Sequence, residues 1–560
     1  MIPYSERKRS NLCIHISFLL LVFLVILFIS FLASVPPVSR DALTHHLAVP
    51  KMYLDHGGIY EIPHLKFSYY PMNLDLLYMV PLYFNNDILP KFIHFGFALS
   101  TAMMLFVYMS RRLHIVYAYA GSLFFLTIPV IVRLSSTVYV DLGLISFLFA
   151  ALLFLFRWIE KDFRAKYLLI CAIFCGLAMG TKYNGLVGFF LLVMFVAFVY
   201  SRYHGHQALY EAKCIGWTIL FIVVALLIFS PWMIRNFAWT GNPVYPLYKS
   251  IFNSENISEN NDSKVFIEER PHMSHIQIRR QIYKESWMEI VAIPLRVFFQ
   301  GRDDSPKYFD GKTSPFLLIL PLFAFLGFSR AGKQEKLEKL LLLFYSSLFL
   351  FYACAQTSIR IRYFSPILPP LVVLSMFGLY NIKTVIYNKY HNTSEFFSNI
   401  CVASIFIIMM SLNAIYMGNR FEKDQPLQYI SGEMSRDEYI QTYRPEYASF
   451  QYANNNIEKK AKILGVYLGN RGYYSDLPIR FSRNTLLEFA SQVKSGKEVA
   501  EKLYNIKFTH LLVNFQLFNQ MVSQCSNDEK KVLKEFFNNW TTQEFAKDGY
   551  GLLTLKSLND

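Results

Sequence analysis

Cysteine is scarce in this chain of 560 residues, which contains seven. Six of them lie in or beside apolar segments: Cys13, Cys171, Cys175, Cys214, Cys354 and Cys401. Only Cys525 falls in a region of soluble character. A disulfide framework or a cysteine metal site needs partners at close, regular spacing, and no CxxC pair is present. The sequence therefore excludes both kinds of cysteine scaffold.

Motifs for nucleotides and nucleic acids are also missing. The chain contains no P-loop and no GxGxxG after a strand, and it has no zinc knuckle, basic helix or stacking motif. Its formal net charge is +15, but the lysines and arginines recur between hydrophobic runs, where membrane topology accounts for them. We therefore expect no nucleic-acid partner. Internal repeats and low-complexity stretches are absent as well.

Apolar residues are abundant: 54% of the chain is hydrophobic and 17% aromatic. A soluble protein cannot bury that much apolar surface, so lipid must surround much of the chain. The first run has about twenty apolar residues and no small-residue cleavage site, which predicts an anchor rather than a signal peptide. About eleven spans are predicted near residues 13–34, 88–110, 115–133, 141–157, 167–181, 184–201, 215–233, 314–329, 339–355, 364–381 and 399–417.

The loops rich in lysine and arginine predict the orientation. These groups are Arg7 to Arg9, Arg111 and Arg112, the cations of 157–166 and those of 330–339. Placing them in the cytoplasm leaves segments 35–87, 234–313 and 418–560 outside a cytoplasmic (inner) membrane. Within the second segment, residues 253–264 have the composition of a mobile polar loop.

The last part of the chain has a different pattern. Short β-rich runs such as ILGVYL at 463–468 and THLLVN at 509–514 alternate with helical periods. Such alternation predicts a small α/β domain. We therefore divide the chain into a membrane module, 1–417, and an extracytoplasmic domain, 418–560.

Asp41 follows the first span directly. Apolar spacing after it, and again from Leu74 to Leu82, predicts two amphipathic helices lying along the outer interface. Asp41 would then begin the first helix, where it is either an ordinary N-cap or a carboxylate with a raised pKa that serves as a general base.

Asp141 is a second acid beside the membrane, in the loop STVYVDLGL. An acid in that position is costly unless it is paired, hydrated or functional. It either pairs with Arg133 or joins the site. Together with Asp41 and His45 or His46, it is also compatible with holding a divalent cation, although oxygen-rich metal sites usually use more carboxylates.

Four cations fall at the predicted outer ends of spans, where the positive-inside bias disfavours them. They are Lys182, Arg235, Arg360 and Arg362. Each can extend its charge to lipid head groups, or the four can converge as a clamp for a phosphate or diphosphate. The neighbouring aromatic residues, Tyr183, Trp232, Tyr245 and Tyr363, fit either an interfacial belt or a surface on which a sugar stacks.

The order of these motifs resembles a known family. An outer-loop aspartate, then YVDL, GLAMGTKYNGL, PWMIRNFAWTGNPVYP and RYFSPILPP, and an outer C-terminal domain are similar to the GT-C membrane glycosyltransferases. Within these, the chain looks most like the bacterial branch similar to protein O-mannosyltransferases and lipid A aminoarabinose transferases. The fold implied is mostly α-helical.

The resemblance implies inverting transfer of a sugar from a polyprenyl-phosphate donor. Asp41 would be the base, and Lys182, Arg235 and Arg362 would contact the lipid phosphate. Ala42 stands where the mannosyltransferases have a second acid, so the acceptor stays open among lipopolysaccharide or another envelope glycan, a lipid and a protein. The main alternative is a transporter or flippase for a lipid-linked sugar, although inverted repeats with broken helices are not visible.

Overall fold

A computed structural model describes residues 12–204, 208–252, 274–356, 359–389 and 395–558. The predicted polar loop 253–264 and the first basic group, Arg7 to Arg9, lie outside these residues. Helices dominate the first three quarters of the chain, and strands occur only near its end among the described residues.

The helices of the membrane module are as follows: α1 (Leu12–Ala33), α2 (Ala48–His56), α3 (Asn73–Tyr83), α4 (Leu89–Ser110), α5 (Ile115–Thr127), α6 (Pro129–Ser135), α7 (Asp141–Glu160), α8 (Ala165–Met179), α9 (Gly185–His204), α10 (Ala208–Thr240), α11 (His275–Gln277), α12 (Trp287–Val291), α13 (Ile293–Phe299), α14 (Phe316–Phe323), α15 (Lys333–Cys354), α16 (Leu368–Lys389) and α17 (Glu395–Asp424). Shorter helical turns, of 3₁₀ or π type, are Ala42–His46, Lys66–Tyr69, Ile278–Ile282, Pro306–Tyr308, Phe328–Arg330 and Ile361–Ile367.

Eight helices of the described chain are long and apolar enough to cross a membrane, or nine if the bent pair α5 and α6 forms one span. The prediction of about eleven spans therefore exceeds what length and composition support. One difference is α8, with 15 residues. The other is the predicted span 314–329, where α14 has eight residues and Gly327 adopts a left-handed conformation that ends helical structure. The chain is a multi-pass membrane protein.

The bend between α5 and α6 places the residues that precede α7. Pro129 begins α6, and Ile128 before it has an extended backbone, as the steric demand of proline requires. The two helices meet at 64°. The turn after α6 then brings Asp141 to the first residue of α7, where the positive end of the helix dipole stabilises an acid.

A buried ion cluster joins the loops at one end of the bundle. Arg112 donates to Glu338 at 2.7 Å and to Glu160 at 2.6 Å, and the Tyr108 hydroxyl donates to Glu338 at 2.6 Å. Three of the loops predicted to share a face thus meet at the same end. Their position relative to the cell remains a prediction.

The C-terminal region forms an α/β unit around a five-stranded sheet. Its helices are α18 (Pro426–Ile430), α19 (Arg436–Tyr443), α20 (Tyr447–Asn456), α21 (Thr485–Gln492), α22 (Gly496–Asn505), α23 (Phe515–Val522) and α24 (Asn527–Asn539). Its strands are β1 (Ile463–Val466), β2 (Ile479–Ser482), β3 (His510–Asn514), β4 (Thr541–Lys547) and β5 (Tyr550–Leu555). The order is β2-β1-β3-β5-β4, with β1 parallel to β2 and β3 and with β5 antiparallel to β3 and β4.

This unit packs on the first loop of the membrane module. The Tyr474 hydroxyl donates to the carbonyl of Pro37 at 2.8 Å, and the backbone N–H of Tyr473 donates to the carbonyl of Leu43 at 3.2 Å. Lys51 forms an ion pair with Asp476 at 2.7 Å. The segment 473–476 therefore lies against the residues on either side of Asp41.

The buried cluster of Arg112, Tyr108 and Glu338 lies at the end of the bundle away from the C-terminal unit. It should contribute strongly to the stability of the fold. Replacing Glu338 by glutamine leaves Arg112 and Tyr108 without their main partner, and we expect it to lower the free energy of unfolding by about 3 kcal/mol. Denaturant unfolding of the purified protein in detergent measures the change. Glu395→Gln is the matched control, because its pair with Lys383 is exposed and should change stability by about 0.5 kcal/mol or less. Equal losses of stability in the two variants would contradict a stabilising role for the buried cluster.

Candidate active site

Asp41 lies at the start of a short helical turn in the first loop. The turn, Ala42–His46, is fully buried, and four of the nine residues of α2 are buried. The two helices predicted after Asp41 are present as α2 and α3, and α3 combines a buried face with exposed apolar residues, Leu77, Val80 and Tyr83. Their position at the outer interface stays a prediction. Asp41 also makes no capping hydrogen bond, which rules out the N-cap interpretation.

Small residues let the loop approach the turn that carries Lys182. The backbone N–H of Asn73 donates to the carbonyl of Gly180 at 2.9 Å, and a Cβ at position 180 would lie 2.3 Å from the Asn73 side chain. A Cβ on Gly143 would meet Leu74 at 2.4 Å. A side chain at either position would force the end of Asn73 or Leu74 to move, so glycine allows the close packing of α3 against α7 and the 180–184 turn.

Four charged side chains from four separate segments form one continuous cluster. Arg362 contacts the carboxylate of Asp41 and reaches within 3.9 Å of Asp141. Lys182 donates to the other oxygen of Asp141 at 2.7 Å. The cluster contains two acids and two bases, so it is neutral as it stands. Tyr363 lies beside both cations. Its ring centroid is 5.2 Å from the Nζ of Lys182 and 5.3 Å from the Cζ of Arg362.

The charged groups of this cluster are poorly hydrated and incompletely paired. Asp141 is fully buried, while the side chains of Asp41 and Lys182 are each 17% exposed. Burial raises the pKa of the Asp41 carboxyl, but the charge and hydrogen bond of Arg362 lower that pKa well below its ordinary value. The Nε of Arg362 and one oxygen of Asp141 are buried without a hydrogen-bond partner in the described part of the chain. Unfilled capacity of this kind is typical of sites that receive a polar ligand.

His45 and His46 follow Asp41 in the buried turn. The Nδ1 of His46 lies 2.7 Å from the carboxylate of Asp75 in α3. His45 stacks on Phe67 with ring centroids 4.4 Å apart, and its Nδ1 has no partner among the described residues. Burial lowers the pKa of both imidazoles to about 3 and raises that of Asp75 to about 7. Both histidines are therefore neutral at physiological pH.

Arg235 lies apart from these four charged residues, in an aromatic enclosure near the C-terminal end of α10. Its guanidinium packs on Trp232 and Trp239, with centroid distances of 4.5 and 4.8 Å, and donates to the carbonyl of Tyr70 at 3.1 Å. Tyr183 separates it from the adjacent Lys182. One terminal nitrogen of Arg235 is buried without a partner within the described chain.

Arg133 of α6 and Arg360, which precedes α16, contact a second group of acids on the loop before α14. Arg133 pairs with Asp303, Asp304 and Asp310 at 3.3, 3.0 and 2.9 Å, and Arg360 lies 3.7 Å from Asp310. The alternative pairing of Asp141 with Arg133 is therefore wrong, because the three loop aspartates occupy that cation.

The acids show no metal-like grouping. Among the described residues, no three His, Cys, Asp or Glu side chains come together as a set that could hold a metal ion. Asp41 and Asp141, the acids considered for a divalent cation, each face a basic side chain instead.

The fold and part of the sequence are similar to known proteins. The model of the family described as dolichyl-phosphate-mannose-protein mannosyltransferase matches residues 88–234. Comparison with curated proteins by sequence found no match. Among solved structures, ArnT from Cupriavidus metallidurans in the apo state is similar with a TM-score of 0.57 and 13% identity, over 96% of this chain and 97% of that one.

Two ligand-bound structures are similar over comparable lengths. The same ArnT bound to undecaprenyl phosphate has a TM-score of 0.54 and 15% identity, with 98% of this chain and 99% of that one covered. The oligosaccharyltransferase AglB from Archaeoglobus fulgidus, in complex with an inhibitory peptide and a dolichol-phosphate, has a TM-score of 0.56 and 10% identity, with 97% and 74% covered.

The chain has the GT-C fold. The matches extend through the C-terminal α/β unit as well as the membrane module, since they cover nearly the whole chain. The expectation of a GT-C architecture with a small C-terminal sheet is confirmed. At these identities the similarity establishes the GT-C fold, and the chemistry has to be argued from the residues.

Several residues of the GT-C site carried no clear signal in the sequence. Asp75 sits within an apolar helix, and only its bond to His46 relates it to Asp41. Asn236 donates to the carbonyls of Tyr69 and Tyr245 and to the Tyr183 hydroxyl, which ties α10 to the first loop. For Asn236, a polar residue at the end of an apolar run was a usable signal in the sequence, and the structure buries it fully.

A double-mutant cycle should detect the interaction of Asp41 with Arg362. Arg362→Gln leaves two carboxylates facing a single lysine, and we expect a loss of about 3 kcal/mol in the free energy of unfolding. Adding Asp41→Asn removes the orphaned charge and should restore about 1 kcal/mol or more. The measurement is denaturant unfolding of the three variants and the wild type. Strictly additive losses would show that the two residues do not interact.

Proposed function

We propose that the chain is an inverting glycosyltransferase that moves a sugar from a polyprenyl-phosphate donor to an envelope glycan, lipid or protein acceptor on the extracytoplasmic face. The observation that carries the proposal is the contact of Arg362 with Asp41 beside Lys182, within a GT-C fold. It joins a base and two phosphate-binding cations in one cluster. Relatives of the same fold bind undecaprenyl phosphate or dolichol-phosphate.

The lipid phosphate is the leaving group, so the enzyme must stabilise the charge that develops on it. Arg362 and Lys182 can supply that charge, with arginine giving two parallel hydrogen bonds and lysine a point charge. Arg235 and Arg360 are the outlying members of the proposed donor site. Asp141 holds Lys182 and faces Arg362 from the buried side, and Tyr183 and Tyr363 line the approach.

Asp41 would remove the proton from the acceptor hydroxyl or amine as that atom attacks the anomeric carbon from the face opposite the phosphate. While Arg362 contacts Asp41, the pKa of this carboxyl is too low for efficient proton abstraction. A phosphate that binds Arg362 competes directly with Asp41 for the guanidinium. Donor binding would then release Asp41, and its pKa would rise towards the range of a working base.

A transporter or flippase for the same lipid-linked sugar is the second candidate. Its support is the buried ion chain, because paired acids and bases inside the membrane also mark transport pathways. The four residues lie on one end of the bundle, next to the C-terminal unit, rather than along a path between both ends. That arrangement favours a surface-access enzyme.

Replacing Asp41 by asparagine separates the two activities. We expect turnover to fall by about 100-fold or more because the base is lost. Binding of undecaprenyl phosphate should tighten by about tenfold, because no carboxylate competes for Arg362. Sugar release from a radiolabelled polyprenyl-phosphate donor measures turnover, and isothermal titration in nanodiscs measures binding.

The control for this variant is Asp304→Asn, which removes an exposed acid of the outer loop that does not contact Arg362. It should leave both quantities within about twofold. Weaker lipid-phosphate binding by the Asp41→Asn protein would contradict the competition. Undiminished turnover would remove Asp41 from the chemistry, and movement of donor across the membrane without sugar transfer would favour the flippase.

The proposed orientation of the chain in the membrane can be tested separately. Single cysteines at Lys51 and Lys423, in a background without the native cysteines, should react with a membrane-impermeant maleimide added outside intact cells, because both side chains are exposed or half-buried on the end that carries Asp41. Cysteine at Lys336, at the other end, should react only after permeabilisation. The reverse pattern would invert the topology and place the donor site in the cytoplasm.

A further inference from the structure

Two short helices between α10 and α14 expose an apolar side. The helices, α12 and α13, follow each other with only Ala292 between them. Four exposed apolar side chains recur three or four residues apart along the pair: Met288, Val291, Leu295 and Phe299. That spacing places them on one face of a helix. The exposure of this apolar face is large, with Met288 at 85% and Val291 at 78%.

Charged side chains of the same segment lie buried beneath the helices. Arg296 of α13 forms an ion pair with Glu285 at 3.0 Å, and Arg279 pairs with the same carboxylate at 2.8 Å. The Cζ atoms of Arg279 and Arg296 lie 4.7 and 5.6 Å from the ring centroid of Phe309. A surface helix in water presents polar side chains outward. Here the outward face is apolar, so water is a poor partner for it.

The apolar face lies where a membrane-crossing helix ends. α13 packs against α15, which is long and apolar enough to cross a membrane, and Val297 and Phe298 belong to the same buried core as the spans. The hydroxyl of Thr313, just before α14, donates to the carbonyl of Val297 at 2.8 Å. The N–H of Ile361, which follows α15, donates to the carbonyl of Phe309 at 2.8 Å. These contacts place α13 near the C-terminal end of α15.

The surroundings of the apolar face suit the boundary between lipid and water. Trp287 begins α12 and is exposed, and the Cζ of Arg280 lies 5.1 Å from its ring centroid. Arg280 and Lys284 are both exposed. Tryptophan is enriched at membrane interfaces, and basic side chains are attracted to anionic lipid head groups.

The length of the helix pair decides how it can meet a bilayer. From Trp287 to Phe299 it extends about 20 Å. The hydrocarbon core of a bilayer is about 30 Å thick. The pair is therefore too short to cross the membrane but long enough to lie along its surface.

We propose that α12 and α13 form an interfacial anchor, with the apolar face among the head groups and upper acyl chains of the leaflet on the Asp41 side. Arg280 and Lys284 lie among the lipid phosphates. Lipid is the occupant because the surface joins an apolar stripe, an interfacial tryptophan and two exposed cations at the end of a span. Since Ile361 precedes Arg362, the anchor also ties the segment that carries Arg362 to the membrane surface. The anchor does not depend on the proposed sugar transfer.

Spin labels on the full-length protein in nanodiscs measure where the apolar face lies. A nitroxide is attached to the Val291→Cys variant of a protein without its native cysteines, in discs that mix phosphatidylcholine and phosphatidylglycerol. Oxygen concentrates in the bilayer, whereas a neutral nickel chelate stays in water, so the ratio of their collision rates reports depth. We expect this ratio at 291 to be about fivefold or more above that at Arg302→Cys, an exposed polar position of the next loop. Leu227→Cys, on the exposed side of the α10 span, gives the value for lipid.

Substitutions within the apolar face test whether its composition holds it in lipid. With the label kept at 291, Met288→Gln/Leu295→Gln should lower the ratio by about threefold or more, because both changes remove apolar surface. The matched control is Val80→Gln/Tyr83→Gln, which alters equally exposed apolar residues of α3. It should leave the ratio at 291 within about 1.5-fold.

The contribution of the cations is separated by lipid composition. Arg280→Gln/Lys284→Gln should lower the ratio at 291 by about twofold in discs that contain phosphatidylglycerol, and should have no effect in discs of phosphatidylcholine alone. An equal effect in both lipids would remove the cations from the proposal. Circular dichroism and gel filtration show whether each variant is folded and monodisperse.

Two results at position 291 would overturn the anchor. A ratio equal to that at 302 would place the apolar face in water. Few collisions with both oxygen and the nickel chelate would show that protein covers the face, either a second copy of this chain or another of its segments.

Discussion

One guanidinium organises the end of the helix bundle on which the C-terminal unit packs. Arg362 contacts Asp41 and approaches Asp141, and through Asp141 it is linked to Lys182. Each acid in this group would be costly to bury without its basic partner, and each base would repel the other without the acids between them. Ion pairing as well as packing therefore holds four segments together: the first loop, α7, the 180–184 turn and the segment before α16.

The same arrangement explains how a stable fold can bury two acids beside two bases. A free aspartate and two free cations in this position would be poorly compatible with a protein in lipid, and mutual neutralisation allows them to coexist. Under the proposed function a phosphate would replace the carboxylate, because phosphate oxygens accept hydrogen bonds from Arg362 as carboxylate oxygens do. The C-terminal unit adds a second layer by pressing Tyr473 and Tyr474 onto the loop and covering the buried turn.

The sequence was most informative at positions where a charged residue is energetically costly. Lys182, Arg362 and Asp141 were recognisable because charges beside apolar spans need a reason, and all three lie in the same cluster. Arg235 and Arg360 were recognised by the same rule but lie in separate groups. The β-rich runs at 463–468 and 509–514 were enough to find β1 and β3, whereas β2 and β4 were missed because their short, partly polar strands depend on neighbours in the sheet.

By itself the sequence determined that lipid surrounds the chain, that spans alternate with basic loops and that a small α/β unit follows them, because hydropathy and periodicity are local properties. Only the tertiary structure decided which charges pair. It assigned Asp141 to Lys182 rather than Arg133 and buried the turn after Asp41. Ion pairing depends on distances between residues that are hundreds of positions apart in the chain, and no local pattern encodes those distances.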